Sequence, residues 1–202
     1  MQAGRETGRR TYNGRTGTTM NGSAGARDNG YGKSAVNAAG GWPNTAAMLS
    51  SGIVAGLAGA ICIWIYEAVV WVGVQHLLTL GGIPSNATGL VFGKHVQQSL
   101  GIGAYVLGTI IHFAFAAAWG VLFARVWPYF QRRGYEATFI ALFYAILAWI
   151  AMHVAISIAS DNHPNYFDPN VVIGGFMSHF CFTVPLALVV KRRYAALRAS
   201  QR

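Results

Sequence analysis

The sequence predicts an all-α integral membrane protein: a four-helix bundle preceded by a disordered basic N-terminal tail. Three observations carry this reading. Hydrophobic residues make up 53% of the 202 residues and charged residues only 10%, where a soluble domain carries about 25% charged. The charge is also uneven, collecting in residues 1–48, in one short loop and at the C-terminal end. Between these regions lie four apolar runs, at about 51–80, 101–127, 137–159 and 171–190. Each is long enough for the ~20 helical residues that a bilayer core requires.

Residues 1–48 are rich in Gly, Thr, Asn and Arg. Such a stretch buries too little apolar area to offset its ordering entropy, so a disordered tail is expected. It also holds no apolar segment of the kind a signal peptide needs. The four spans occupy a membrane domain over residues 49–194, and a short basic tail, 195–202, closes the chain.

Lys and Arg are enriched in cytoplasmic loops. With four spans, both tails and the middle loop share one side. That side holds fourteen of the fifteen basic residues, from Arg5 to Arg202, and the other side holds Lys94 alone. Both termini are therefore expected in the cytoplasm, with residues 81–100 and 160–170 outside. The basic tails are expected to attract anionic lipid heads, at about 1 kcal/mol per residue near the surface. No folded nucleic-acid motif accompanies the charge, so no nucleic-acid partner is expected. A homo-oligomer or a larger membrane complex is compatible with the pattern.

The outer loops carry local signals. Asp168 before Pro169 reads as a helix N-cap with proline at the first helical position. His163 with Asp161 and Asp168 is a weak surface metal candidate, and a plain loop suits Pro164 and its neighbours better. A short interfacial helix is expected from about Gly89. Asn86-Ala87-Thr88 forms a glycosylation sequon, relevant only in a eukaryotic secretory pathway. Cys62 and Cys181 lie inside spans at similar depth and read as small apolar residues.

Lipid tails are as apolar as leucine, so membrane helices associate by close fit. Small residues at four-residue spacing mark the close faces. They are Gly52, Gly56 and Ala60 with Gly59, then Gly108, Ala116 and Gly120, then Ala141, Ala145 and Ser157, then Gly175, Thr183 and Ala187. His112, His153 and His179 fall on these stripes, and Glu67 follows the first one. Counting the helical rise from the cytoplasmic ends puts Glu67 and His153 ~25 Å up, His112 ~20 Å up and His179 ~17 Å up. One polar cluster of Glu67, His112, His153 and His179 is therefore expected inside the bundle. His76 would continue it as a path to the outer surface.

Three readings of that cluster stay open. The groups could simply pair across helices, since intramembrane polar groups need partners. They could hold a transition metal through His112, His153, His179 and Glu67, or a haem b iron between two imidazoles. They could move protons or ions, as Glu and His chains do in membranes. Catalytic motifs such as G-x-S-x-G and the P-loop are absent, and no enzyme activity is expected.

The region from Ser51 to Tyr194 resembles the YagU-like family of small bacterial inner-membrane proteins. The resemblance rests on "GIVAGLAGA", on "TIIHFAFAAAWGVLFARVWP", on "GYEATFIALFYAILAWIAMHVAIS" and on "GGFMSHFCFTVPLALVVKRRY". It implies that His112, His153 and His179 occupy the family's histidine positions. It further implies an inner-membrane location and an accessory or stress-related role, with acid stress the specific suggestion. Pro84 alone in the first loop, and the segment "SHFCFTVP", depart from the family pattern.

Overall fold

The computed structural model describes residues 41–161 and 165–201. Among these the chain is all-helical. Helix α1 spans Thr45–Glu67 and runs directly into a π-helix, Ala68–Val74. Two short helices follow, α2 at Gly82–Phe92 and α3 at Lys94–Ser99. The remaining long helices are α4 at Ile102–Arg132, α5 at Ala137–Ala159 and α6 at Pro169–Ala199. Four segments are long and apolar enough to cross a membrane: Thr45–Val74, Ile102–Arg132, Ala137–Ile158 and Pro169–Ala199. The chain is a small multi-pass membrane protein.

Several boundaries differ from the sequence expectation. The first helix starts inside the stretch expected to be tail, because Asn44 caps it by accepting from the Ala47 amide at 2.7 Å. Residues 1–40 lie outside the described residues, so the tail expectation rests on sequence alone there. The first span ends at Val74 rather than near 80. The fourth helix runs on to Ala199, through the stretch expected as a separate tail. At about 46 Å, a helix of 31 residues exceeds the ~30 Å hydrocarbon core, so its basic end stands clear of the apolar layer. The outer helix begins at Gly82, not Gly89. The Asp168 cap holds: its carboxylate accepts from the Asn170 amide at 2.9 Å.

The helices alternate in direction. The pole carrying the start of α1 and the end of α6 is called proximal below, and the opposite pole distal. Helix α1 is central, packed on α4 along one side and on α6 along another, while α5 packs on α6. The close contacts fall on the small-residue stripes. A Cβ on Gly52 would stand 2.5 Å from the Val121 Cα, and one on Gly56 would run into the Ala116 carbonyl. Gly59 seats Phe182 of α6 in the same way. Such backbone approach is how helices gain contact where lipid gives no hydrophobic drive.

Helices α4 and α5 meet differently. Tyr144 of α5 donates its hydroxyl to the Trp119 carbonyl at 2.8 Å and packs edge-on against Phe123, ring centroids 4.9 Å apart. These rings wedge the two helices apart. The proximal half is dense: Phe123, Trp127, Ile140, Leu186 and Val190 are all fully buried there. At the distal pole, α2 bridges α4 and α5. Gly108 of α4 lets the Pro84 carbonyl come close, and Thr88 donates to the Ala104 carbonyl at 2.7 Å.

Candidate functional site in the distal half

The structure brings two of the four expected groups together. His153 of α5 and His179 of α6 are neighbours, with ring centroids 6.2 Å apart and planes at 50°. Each ring is held by its own helix in the same manner. His153 Nδ1 lies 2.7 Å from the Trp149 carbonyl, and His179 Nδ1 lies 2.7 Å from the Gly175 carbonyl. A carbonyl can only accept, so each Nδ1 carries the proton. In the neutral ring this leaves a lone pair on Nε2. Neither Nε2 has a hydrogen-bond partner among the described residues.

Aromatic side chains surround the pair. Trp149 stands 4.6 Å from His153 and Tyr166 5.4 Å, centroid to centroid. The Tyr166 hydroxyl reaches the Ser157 hydroxyl at 3.4 Å. Consecutive glycines on α6 make room for two indoles. A Cβ at Gly174 would fall 2.8 Å from Trp71 Nε1, and one at Gly175 would fall 3.4 Å from Trp149 Nε1. Trp71 comes from the π-helix, whose extra residue per turn rotates it relative to an α-helical path.

His112 is elsewhere. Its Nε2 is 3.4 Å from the Ala60 carbonyl, and its ring stacks on Trp64 at 5.3 Å. Helix α1 stands between α4 and the α5–α6 pair, so Trp64 meets His112 where the other imidazoles were expected. Glu67 is partly buried and makes no hydrogen bond or ion pair among the described residues. It sits on α1 one turn from both Trp64 and Trp71. The expected four-group cluster is thus a pair, with His112 and Glu67 on neighbouring turns of the interior. Among the described residues, no group of three or more His, Cys, Asp or Glu could hold a metal ion. The set of three histidines and Glu67 is not assembled.

For the haem alternative, which needs two axial imidazoles, the structure brings His153 and His179 near one another, with Trp149 and Tyr166 packed beside His153. The outer-path residue His76 is exposed, just beyond the π-helix, with φ of 53°. It lies on the surface and contributes nothing to the interior. Of the surface metal candidates, Asp161 accepts from the Lys94 amide and Asp168 caps α6. His163 lies outside the described residues.

Sequence reasoning missed Trp71, Gln75, Tyr166 and Gly174. These matter because buried polar atoms without partners mark places where water or a ligand belongs. Five such atoms occur among the described residues: Trp64 Nε1, Trp71 Nε1, Gln75 Oε1, Trp127 Nε1 and Trp149 Nε1. All but Trp127 are in the distal half. The signal available was spacing: Trp71 and Gln75 follow Glu67 at successive four-residue steps.

The two cysteines line one apolar groove between α1 and α6, beside Ile65 and Phe180, and both are free thiols. No protein-family model, curated protein or solved structure matches this chain.

Proposed function

We propose that this chain is a non-enzymatic accessory protein of the bacterial inner membrane, related to the YagU-like proteins, with both termini in the cytoplasm. Its interior site takes a small cation, a proton or a metal ion, from the outer side of the membrane. The contrast between its two halves supports this reading. Unpaired polar atoms and imidazole lone pairs gather in the distal half. The proximal half is closed by backbone contact at Gly52 and Gly56 and by fully buried Phe123 and Trp127. A site polar at one end and sealed at the other receives; it does not conduct across. An acid-stress role would fit the same arrangement, because imidazole is the side chain that titrates nearest neutrality and outside acid would meet it first. The basic ends of α4 and α6 then lie at the cytoplasmic surface, against anionic lipid heads.

The test is thiol labelling with a membrane-impermeant reagent in a Cys62→Ser, Cys181→Ser background. In intact spheroplasts Ser157→Cys and Gln75→Cys are expected to react. Lys191→Cys should react only after lysis, and Ala145→Cys under neither condition. Reaction of Lys191→Cys in intact spheroplasts would overturn the orientation. Silence at both Ser157→Cys and Gln75→Cys would overturn the open site.

A further inference from the structure

We propose that Cys62 and Cys181 are a dithiol pair that closes to an interhelical disulfide by passing two hydrogens to a lipid-soluble quinone seated in the groove between α1 and α6. They are the only cysteines in the chain, one on each helix, and both are free thiols that are partly exposed. The groove has a volume of about 520 Å³, and Ile65, Val69, Phe180 and Val184 line it beside them. Ile65 and Val69 are more than half exposed and belong to a span, so the groove opens to lipid. The thiols thus lie apart from the polar interior between α5 and α6.

The register of the two helices brings the thiols level. Helices α1 and α6 run in opposite directions and reach backbone contact at Gly59, where an added Cβ would fall 2.6 Å from the Phe182 carbonyl oxygen. Cys62 lies three residues beyond Gly59 toward the distal pole, and Cys181 lies one residue from Phe182 in the same direction. At 1.5 Å per residue these steps are ~4.5 Å and ~1.5 Å, so the two cysteines differ in height by about 3 Å. Lining one groove puts both on the same side of the seam, and Cys62 is near enough to act electrostatically on Cys181. A disulfide needs Cα atoms about 4.4–6.8 Å apart. With Cα atoms about 2.3 Å off each axis and axes about 8 Å apart at a glycine contact, level residues on one side of the seam fall in that range.

The surroundings select the oxidant. Charge is costly in an apolar groove, so the overall reaction that suits it begins and ends with neutral species. Two S–H bonds break and one S–S bond forms. The two electrons and two protons pass to the quinone, whose carbonyl oxygens become the hydroxyls of a quinol. A quinone dissolves in the hydrocarbon to which the groove opens, whereas oxidised glutathione stays in water. The groove is also of the size that holds small-molecule ligands.

The test uses the full chain, reduced and free of oxygen, in nanodiscs of phosphatidylethanolamine and phosphatidylglycerol. A decyl-tailed benzoquinone is added, quinol is followed by absorbance, and the thiols are alkylated and mapped by mass spectrometry. About one quinol per chain is expected, as a two-electron couple requires. Both thiols should be lost, the Cys62 peptide should be linked to the Cys181 peptide of the same chain, and dithiothreitol should restore both. Cys62→Ser and Cys181→Ser should each abolish quinol formation. Val69→Trp fills the groove from its exposed rim and should slow quinol formation at least tenfold with the helical signal intact. Oxidised glutathione should leave the pair reduced. Unlinked thiols after quinone treatment, links only between separate chains, or equal oxidation by glutathione disulfide overturns the proposal. So does a folded Val69→Trp protein that reduces quinone as fast as its parent. The linkage map of the unsubstituted chain decides the matter even if a variant fails to fold.

Discussion

The indole of Trp42, just ahead of α1, donates its Nε1 proton to the Ala124 carbonyl in the proximal third of α4 at 2.7 Å. That carbonyl is special. Its helical partner would be the amide of residue 128, and residue 128 is proline, which has none. Trp42 therefore supplies the bond that Pro128 withholds, and its ring also packs edge-on against Tyr194 of α6. A buried acceptor left unpaired costs about 1–3 kcal/mol. Trp42→Phe keeps the ring and removes the donor, so it should destabilise the bundle by about that amount. In a Pro128→Ala background the helix has its own donor, and the same substitution should cost about 1 kcal/mol less. Unfolding in detergent followed by circular dichroism measures both. Equal costs in the two backgrounds would show that the indole does not serve that carbonyl.

Gly56 gives a second prediction. A methyl group there meets the Ala116 carbonyl, which is backbone and cannot rotate away. Alanine improves intrinsic helix propensity by up to about 1 kcal/mol, but overpacking against a neighbour typically costs 1–3 kcal/mol or more. Gly56→Ala should therefore lower the melting temperature in detergent. Gly103→Ala is the control, since its added Cβ would sit an ordinary 3.7 Å from the Leu100 Cβ. It should be neutral or slightly stabilising. Similar behaviour of the two variants would mean that α1 and α4 do not approach as closely as described.

The distal cap depends on buried hydroxyls. Thr88 is fully buried and donates to the Ala104 carbonyl, while Ser160 donates to the Gly89 carbonyl at 2.9 Å. Together they tie α2 to the outer ends of α4 and α5. Thr88→Val keeps the shape and removes one bond, which should cost about 0.5–1.5 kcal/mol. The expected readout is faster amide hydrogen exchange in residues 82–92 with little change in residues 45–58. Uniform acceleration along the chain would instead make Thr88 a contributor to global stability.

The spans and their close faces were legible because both follow from one-dimensional rules. Apolar length marks a span, and Gly52, Gly56 and Ala60 recur at the helical period that stacks small residues on one side. The meeting of the ionisable groups was not legible in full. Depth counted along each helix places His112 near His153, but depth says nothing about which helices are neighbours. That is decided by α1 taking the central position and by Tyr144 and Phe123 wedging α4 from α5. His153 and His179 were brought together because α5 and α6 are sequential and joined by a short loop. The π-helix was also invisible to periodicity, which assumes 3.6 residues per turn, and it is the π-helix that delivers Trp71 to Gly174. Asn44 and Trp42 were read as tail because composition averages over a long window and hides one cap and one anchor.

Glu67 yields the prediction that best separates a structural interior from a functional one. An ionisable side chain near the bilayer centre costs about 2.5–3.5 kcal/mol unless partners offset it, and Glu67 has no hydrogen-bond or ion-pair partner among the described residues. A carboxyl kept only to hold helices together would be bonded to one of them. Glu67→Gln preserves size and removes the ionisable group. If Glu67 serves the fold, the variant should unfold at a clearly lower temperature. The structure predicts the opposite: a melting temperature in detergent unchanged or raised, with the helical signal intact, because nothing is lost and a desolvation cost is relieved. Pairing this with Tyr144→Phe, which removes a defined interhelical bond to the Trp119 carbonyl and should cost about 0.5–1.5 kcal/mol, calibrates the measurement. A Glu67→Gln loss as large as that of Tyr144→Phe would place the carboxyl in the scaffold and take it out of the site.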